Sequence, residues 1–308
     1  MSDVVASYGQ LLDRLNRSSA KKQYQAFKDI AWDDPEMAVE VSDPGWELTA
    51  EDPLGADDWY RRRPPDERRR IGLSKTADMI KMAIEFENVL QRGLLQYAAT
   101  LPNRSAELTY LYHEIAEETQ HTLMFQEFIN RTGIDPEAFP GRLDRSRQRF
   151  IRASSSFPHI VFTEALVGEE IFDHIQRRRL KIEPIPPILR VLFTIHVTEE
   201  ARHKSFARAW LRTHMDVLTD ADRRLLGRYL NVLTGALGAR ILLPGNRLKE
   251  EFGIPDAVMA RVTEGPVLVD VLTRALAQVI AFGRKHRLLS ETAAILPTIR
   301  RPEAAESH

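Results

Sequence analysis

The sequence predicts an all-α fold, a four-helix bundle core with additional helices packed on it. Three observations carry that expectation. Apolar residues recur at three- and four-residue steps between punctuating Gly- and Pro-rich stretches. No segment sustains the alternation of a strand. Two Glu-Glu-x-x-His strings occupy corresponding points of two similar halves.

The elements follow in order. Residues 1–65 read as a less regular N-terminal arm, since proline and glycine crowd 34–65. Long helices are expected near 66–101, 104–131, 157–181 and 187–215. Pro102 separates the first two and Pro184, Pro186 and Pro187 the last two, positions that a helix interior does not accept. Helices near 218–240 and 265–285 complete a domain over 66–290, and 291–308 reads as a C-terminal tail. The runs Arg61-Arg62-Arg63 and Arg68-Arg69-Arg70 around Pro64-Pro65 read as a solvated helix entrance rather than a docking patch.

Composition narrows the chemistry. Lys and Arg total 43 against 44 Asp and Glu, so the overall field favours neither nucleic acid nor an anionic membrane as partner. With no cysteine, disulfides and thiolate chemistry are excluded, and any metal must be held by oxygen and imidazole nitrogen. Met1-Ser2-Asp3-Val4-Val5-Ala6 is not a basic region leading into an apolar stretch, so no secretory signal is expected and the cytoplasm is the expected compartment. The most apolar windows, near 229–244 and 265–282, contain Arg240, Asp270 and Arg274 and read as core helices rather than membrane spans.

The internal repeat locates the site. Glu87 precedes Glu118 by 31 residues and Glu169 precedes Glu200 by the same 31, the halves being offset by 82. Each pair straddles a predicted turn, so each half forms an antiparallel hairpin with its two glutamates opposite one another, about 21 Å from the turn at 1.5 Å per residue. Within Glu118-x-x-His121 and Glu200-x-x-His203 the three-residue step puts carboxylate and imidazole on one side of the helix. His196 extends the second set along the same face. Ile80, Ile84, Phe125, Leu166 and Phe193 share these faces, so the helical period assigns the charges to the interior. Four buried carboxylates need a compensating cation charge, and two divalent or trivalent metal ions supply it. One glutamate from each of two helices and Glu-x-x-His from each of the other two is the general pattern of di-iron and di-manganese carboxylate bundles. Glu85, Glu117, Glu170 and Glu199 adjoin the selected residues but break the equal spacing. Asp173 and Glu114, one turn away, are candidate acceptors for the imidazole N–H groups. His113, His159, His174, His214 and His286 read as surface or supporting histidines.

The segments Phe86-Glu87, Glu118-Thr119-Gln120-His121, Val167-Gly168-Glu169-Glu170-Ile171 and Ile195 to His203 resemble the p-aminobenzoate N-oxygenase family of dinuclear iron enzymes over about 66–210. The additional histidine at 196 is the most specific element. The resemblance implies a ferritin-like bundle in which Glu87, Glu118, His121, Glu169, His196, Glu200 and His203 bind two iron ions. It further implies oxidation of a small, aromatic amine by dioxygen, through hydroxylamine towards nitroso or nitro products. Manganese, alone or mixed with iron, is an alternative occupant. A carbon hydroxylase or desaturase and a ferroxidase or iron store are the alternative functions. No Gly-rich dinucleotide fingerprint is present, so an external electron donor or reductase is expected. A homodimer is the expected assembly.

Overall fold

Helix boundaries fall where local chemistry puts them in the computed structural model, which describes residues 2–136 and 144–290. Helix α1 (Ser2–Lys21) buries Tyr8, Leu12, Leu15 and Ser19, a stripe at helical spacing. After an irregular stretch, a one-turn α2 (Asp58–Arg61) is capped by Asp57. Helix α3 (Pro65–Ala98) starts on a proline, whose missing N–H costs nothing at that position, and carries Asp66 and Glu67 in its first turn. Helix α4 (Ala106–Thr132) is capped by Ser105, which accepts from the N–H groups of Glu107 and Leu108. It ends at Gly133 with φ of 66°, a left-handed conformation suited to glycine. After α5 (Asp144–Ala153), α6 (His159–Arg179) ends in three arginines that favour its C-terminal dipole. Helix α7 (Pro187–His214) again starts on proline. Thr219 and Asp222 cap each other at the start of α8 (Asp220–Leu242). Four shorter helices follow: α9 (Asn246–Phe252), α10 (Asp256–Glu264), α11 (Pro266–Ala275) and α12 (Ala277–Lys285).

The bundle consists of the hairpins α3–α4 and α6–α7. These are the two most extensive helix pairings, and α3 also meets α6 while α4 meets α7. Helix α1 lies over α4 and α7, and α8 and α11 lie over α6. One large apolar cluster runs through the bundle; a smaller one, around Leu54, Tyr60, Ile71, Leu248 and Val258, fastens the irregular stretch and α2 to α9 and α10. Among the described residues there is no strand.

Three expectations change. The arm is not irregular throughout, because Ser2–Lys21 is a full helix and the loop is confined to 22–57, with two one-turn 3-10 helices, and to 62–64. The anticipated 265–285 helix is two helices bent by 59°. His159 is neither on the surface nor beside the charged cluster: it is buried, stacks on Phe157 and donates to the His214 carbonyl through Nε2 at 2.9 Å. The predicted tail, 291–308, lies outside the described residues. The arginine runs do serve the helix entrance: Arg68 pairs with Glu47 and also donates to the carbonyls of Arg61 and Arg63. No single helix among the described residues is long and apolar enough to cross a membrane.

Close approach of the hairpins is set at Gly168. A Cβ there would come within 2.1 Å of the Phe86 ring, which is itself buried against Phe172. Gly168 and Phe86 immediately precede Glu169 and Glu87, so the same contact sets the spacing of two carboxylates. Gly168→Ala is therefore expected to lower unfolding stability by about 1–3 kcal/mol through overpacking. Phe86→Leu in the same chain should restore part of it, read by urea unfolding.

Candidate metal centre

All seven predicted residues meet at one point. Glu87, Glu118, His121, Glu169, His196, Glu200 and His203 are each no more than 1% exposed. Their donor atoms fall into three overlapping groups, Glu87–His121–His196–Glu200, Glu118–Glu200–His203 and Glu87–Glu118–Glu169, each with its donor atoms within 4.8 Å of one another. Glu118 and Glu200 are central: His121 Nδ1 lies 3.1 Å from Glu118 Oε2 and 3.2 Å from Glu200 Oε1, and His203 Nδ1 lies 3.0 Å from Glu118 Oε1 and 3.2 Å from Glu200 Oε2. His196 approaches through Nε2, 3.4 Å from Glu87 Oε1. Glu87 belongs to two of the groups, beside His121, His196 and Glu200 in one and beside Glu118 and Glu169 in the other.

The adjacent glutamates divide by direction. Glu85 pairs with Lys81 at 3.0 Å, and Glu170 with Arg208, both away from the cluster. Glu117 and Glu199 turn inward and form a crossed arrangement. His121 Nε2 donates to Glu199 Oε2 at 3.0 Å, and His203 Nε2 donates to Glu117 Oε2 at 2.8 Å, so each hairpin supplies the acceptor for the other hairpin's histidine. With the outer nitrogen of each ring carrying the proton, Nδ1 presents its lone pair to the cluster. Arg202 ties the two acceptors together, 2.9 Å from Glu117 Oε1 and 3.2 Å from Glu199 Oε1. The loop after α1 closes over this layer: the Tyr24 N–H donates to Glu199 and the Ala26 N–H to Gln120.

This layer corrects the supporting residues expected from sequence. Asp173 accepts from Arg177 and pairs with Lys204, and among the described residues no imidazole hydrogen-bonds to it. Glu114 is buried, but its Oε2 has no hydrogen-bond partner among the described residues. The signal for Glu117 and Glu199 was available: the doublet is Glu-Glu-x-x-His in both halves, and its first glutamate lies one 100° step round the helix from the second. Arg202 and the loop after α1 had no comparable signature.

Electrostatics separates the carboxylates into two kinds. Burial and mutual repulsion push Glu87 and Glu169 well above the usual carboxylate range. Burial and the Glu200 charge act upward on Glu118 too, but the His203 and His121 imidazoles outweigh them and hold it at about 2. Glu200, against the same desolvation, is held well below its ordinary value by His203 and His196. His121 and His203 are raised despite their burial because carboxylates surround them, while desolvation brings His196 down to about 4. Protein groups alone therefore favour protons on Glu87, Glu169, His121 and His203.

A cation resolves that arrangement, and the donor atoms fit one. Neither oxygen of Glu169, nor Glu87 Oε2, has a hydrogen-bond donor among the described residues. Buried carboxylate oxygens left without donors, beside three imidazole nitrogens, form the oxygen and nitrogen set that iron or manganese accepts.

Comparison with known proteins widens the extent of the likeness. The family model described as P-aminobenzoate N-oxygenase AurF matches residues 5–286, from within α1 to the end of α12. Proteins of Mycobacterium tuberculosis and Mycobacterium bovis, each named only as an uncharacterized protein, are 37% identical over 254 residues, covering 82% of this chain and 75% of theirs.

Two outcomes follow from the crossed layer and the protons. Metal uptake should release protons and weaken as pH falls, because His121 and His203 must give up the proton on Nδ1 and the raised Glu87 and Glu169 must ionise. Calorimetry in buffers of differing ionisation enthalpy reads the release. Glu199→Gln, which keeps the shape but loses the charge facing His121, is expected to lower iron affinity by about 10- to 100-fold. Chelator competition measures it, and an unchanged affinity would remove Glu199 from the supporting layer.

Proposed function

The chain belongs to the p-aminobenzoate N-oxygenase family, and on that premise we propose that it oxidises the nitrogen of a small, aromatic amine with dioxygen at a dinuclear iron centre. The observation that carries the proposal is His196, a third buried imidazole within the cluster of Glu87, Glu118, His121, Glu169, Glu200 and His203. Bound to these residues, two iron ions supply the reduction of dioxygen and the oxidising equivalents for the amine.

The protein's own residues prepare that chemistry. Glu87, Glu118, Glu169 and Glu200 would hold the two ions as terminal or bridging carboxylates, with His121, His196 and His203 as nitrogen ligands. Glu117 and Glu199 hold the outer imidazole protons of His203 and His121 and so orient both rings. An additional neutral imidazole in place of an anionic oxygen donor changes the electron density at the metal. Phe125, with its ring 5.1 Å from that of His196, and Phe193, one turn before His196, keep water from this side of the centre.

A cavity of about 100 Å³ supports the choice of a small substrate. Leu189 and Phe193, which precede His196 on α7, line it together with Met79, and Trp46, with the paired Lys75–Asp52 and Arg178–Glu51, lines the remainder. Its volume is below the roughly 150 Å³ of a cavity that takes benzene, so a ring enters as Met79, unbranched and flexible, gives way. The electrons that each turnover requires come from an external donor, as the sequence carries no dinucleotide fingerprint.

Protein loaded with iron, reduced and mixed with dioxygen and a panel of aryl amines should yield the hydroxylamine, nitroso or nitro product by mass spectrometry. Carbon hydroxylation instead would replace the amine reading with that of a carbon oxidase. Met79→Trp, which fills the cavity, is expected to raise KM for the amine about tenfold while leaving iron content unchanged.

A further inference from the structure

Away from the metal centre, the end of the bundle nearest the α3–α4 turn holds a second group of chemically capable side chains. The Tyr97 hydroxyl donates to Glu107 Oε1 at 2.5 Å. The Trp210 indole N–H donates to the Tyr97 oxygen at 2.9 Å and to Glu107 Oε1 at 3.0 Å. Tyr97 and Trp210 are 6% and 1% exposed, and their rings meet edge to face at 5.5 Å. Burial and the Glu107 charge push the Tyr97 phenol up, so it keeps its proton until something removes an electron.

These rings begin a column that runs along the bundle towards the centre. Phe162 stacks on Trp210 at 4.1 Å and meets Phe206 edge to face at 5.4 Å; Phe206 in turn lies 4.7 Å from the Tyr110 ring. Phe206 follows His203 by one turn of α7, and Trp210 follows it by two, about 10 Å along the axis. Satisfying the polar ends of a buried tyrosine and tryptophan explains one hydrogen bond apiece. It does not explain why both converge on a single carboxylate oxygen at the end of an unbroken aromatic column.

Tyrosine and tryptophan are the side chains most readily oxidised by one electron, and a phenol loses that electron without creating a buried positive charge only where a base takes its proton. Tyr110, nearer the centre, has no hydrogen-bond partner for its hydroxyl among the described residues; Tyr97 has Glu107. We propose that Tyr97 and Trp210 form a redox relay that discharges the metal centre when dioxygen is reduced with no amine bound. The inference rests on the oxygenase reading of that centre. In the step, the oxidised dinuclear centre accepts one electron that travels from Tyr97 by way of Trp210. The Tyr97 O–H bond breaks, its proton passes to Glu107 Oε1, and the products are a neutral tyrosyl radical, a protonated Glu107 and a centre reduced by one electron. The external donor returns the electron and Glu107 the proton, which restores the phenol.

The test uses the full chain loaded with iron(II), mixed with dioxygen without amine and freeze-quenched for electron paramagnetic resonance. An organic radical signal that narrows when the protein contains ring-deuterated tyrosine is expected. It should be absent from Tyr97→Phe, which keeps the ring, and at least tenfold weaker in Glu107→Gln, which still accepts a hydrogen bond but takes no proton. Trp210→Phe should slow its appearance. A signal that persists in Tyr97→Phe overturns the relay. So does oxygen uptake with neither a radical nor oxidised Tyr97 or Trp210 in peptide mass spectrometry, and that outcome leaves the oxygenase reading intact. Absence of iron uptake or of oxygen consumption overturns both.

Discussion

Burying four carboxylates at one point of a helical bundle is the constraint on which this structure turns. An isolated charge taken from water into a protein interior costs several kcal/mol even after relaxation, and Glu87, Glu118, Glu169 and Glu200 are all essentially inaccessible. The His121 and His203 imidazoles offset part of that cost, and the upward shift of Glu87 and Glu169 towards their neutral forms offsets more. The remaining mismatch shows as oxygens without donors, the condition that a bound cation removes. Burial makes the cation more necessary, because a desolvated carboxylate oxygen without a donor carries its full penalty.

Bundle geometry serves that point in specific places. Gly168 lets α6 approach α3 at the level of Glu87 and Glu169. Helix α1, with the loop after it, is not an appendage: it lies over α4 and α7 on the side where Glu117, Arg202 and Glu199 are found, and its loop supplies backbone donors to Glu199 and Gln120. The centre thus has a polar wall, held by hydrogen bonds and closed by the N-terminal segment, and apolar flanks at Phe125 and Phe193.

Much of this was legible in the sequence, and the reason is periodicity. The repeated 31-residue separation, the proline-marked turns and the apolar flanks located all seven clustered residues, because helical rise and rotation convert spacing directly into position. The supporting layer was harder. Spacing points to Asp173 and Glu114, one turn along the same helix, but the acceptors belong to the opposite hairpin, and spacing within one helix says nothing about which neighbour faces it. Helix α1 is masked by the proline and glycine of 34–65, which give the whole arm an irregular signature, although Tyr8, Leu12 and Leu15 keep a helical period. Tyr97, Glu107 and Trp210 come together from three helices and were invisible for the same reason as the crossed acceptors.

The crossing of Glu117 and Glu199 between hairpins makes the two halves interdependent. Each hairpin carries a histidine whose ring is aimed by a carboxylate from the other, so neither half can finish its own binding position alone. Docking the hairpins therefore orients both rings in one event, and a change at either acceptor, Glu117 or Glu199, is felt by a ring that the opposite half carries.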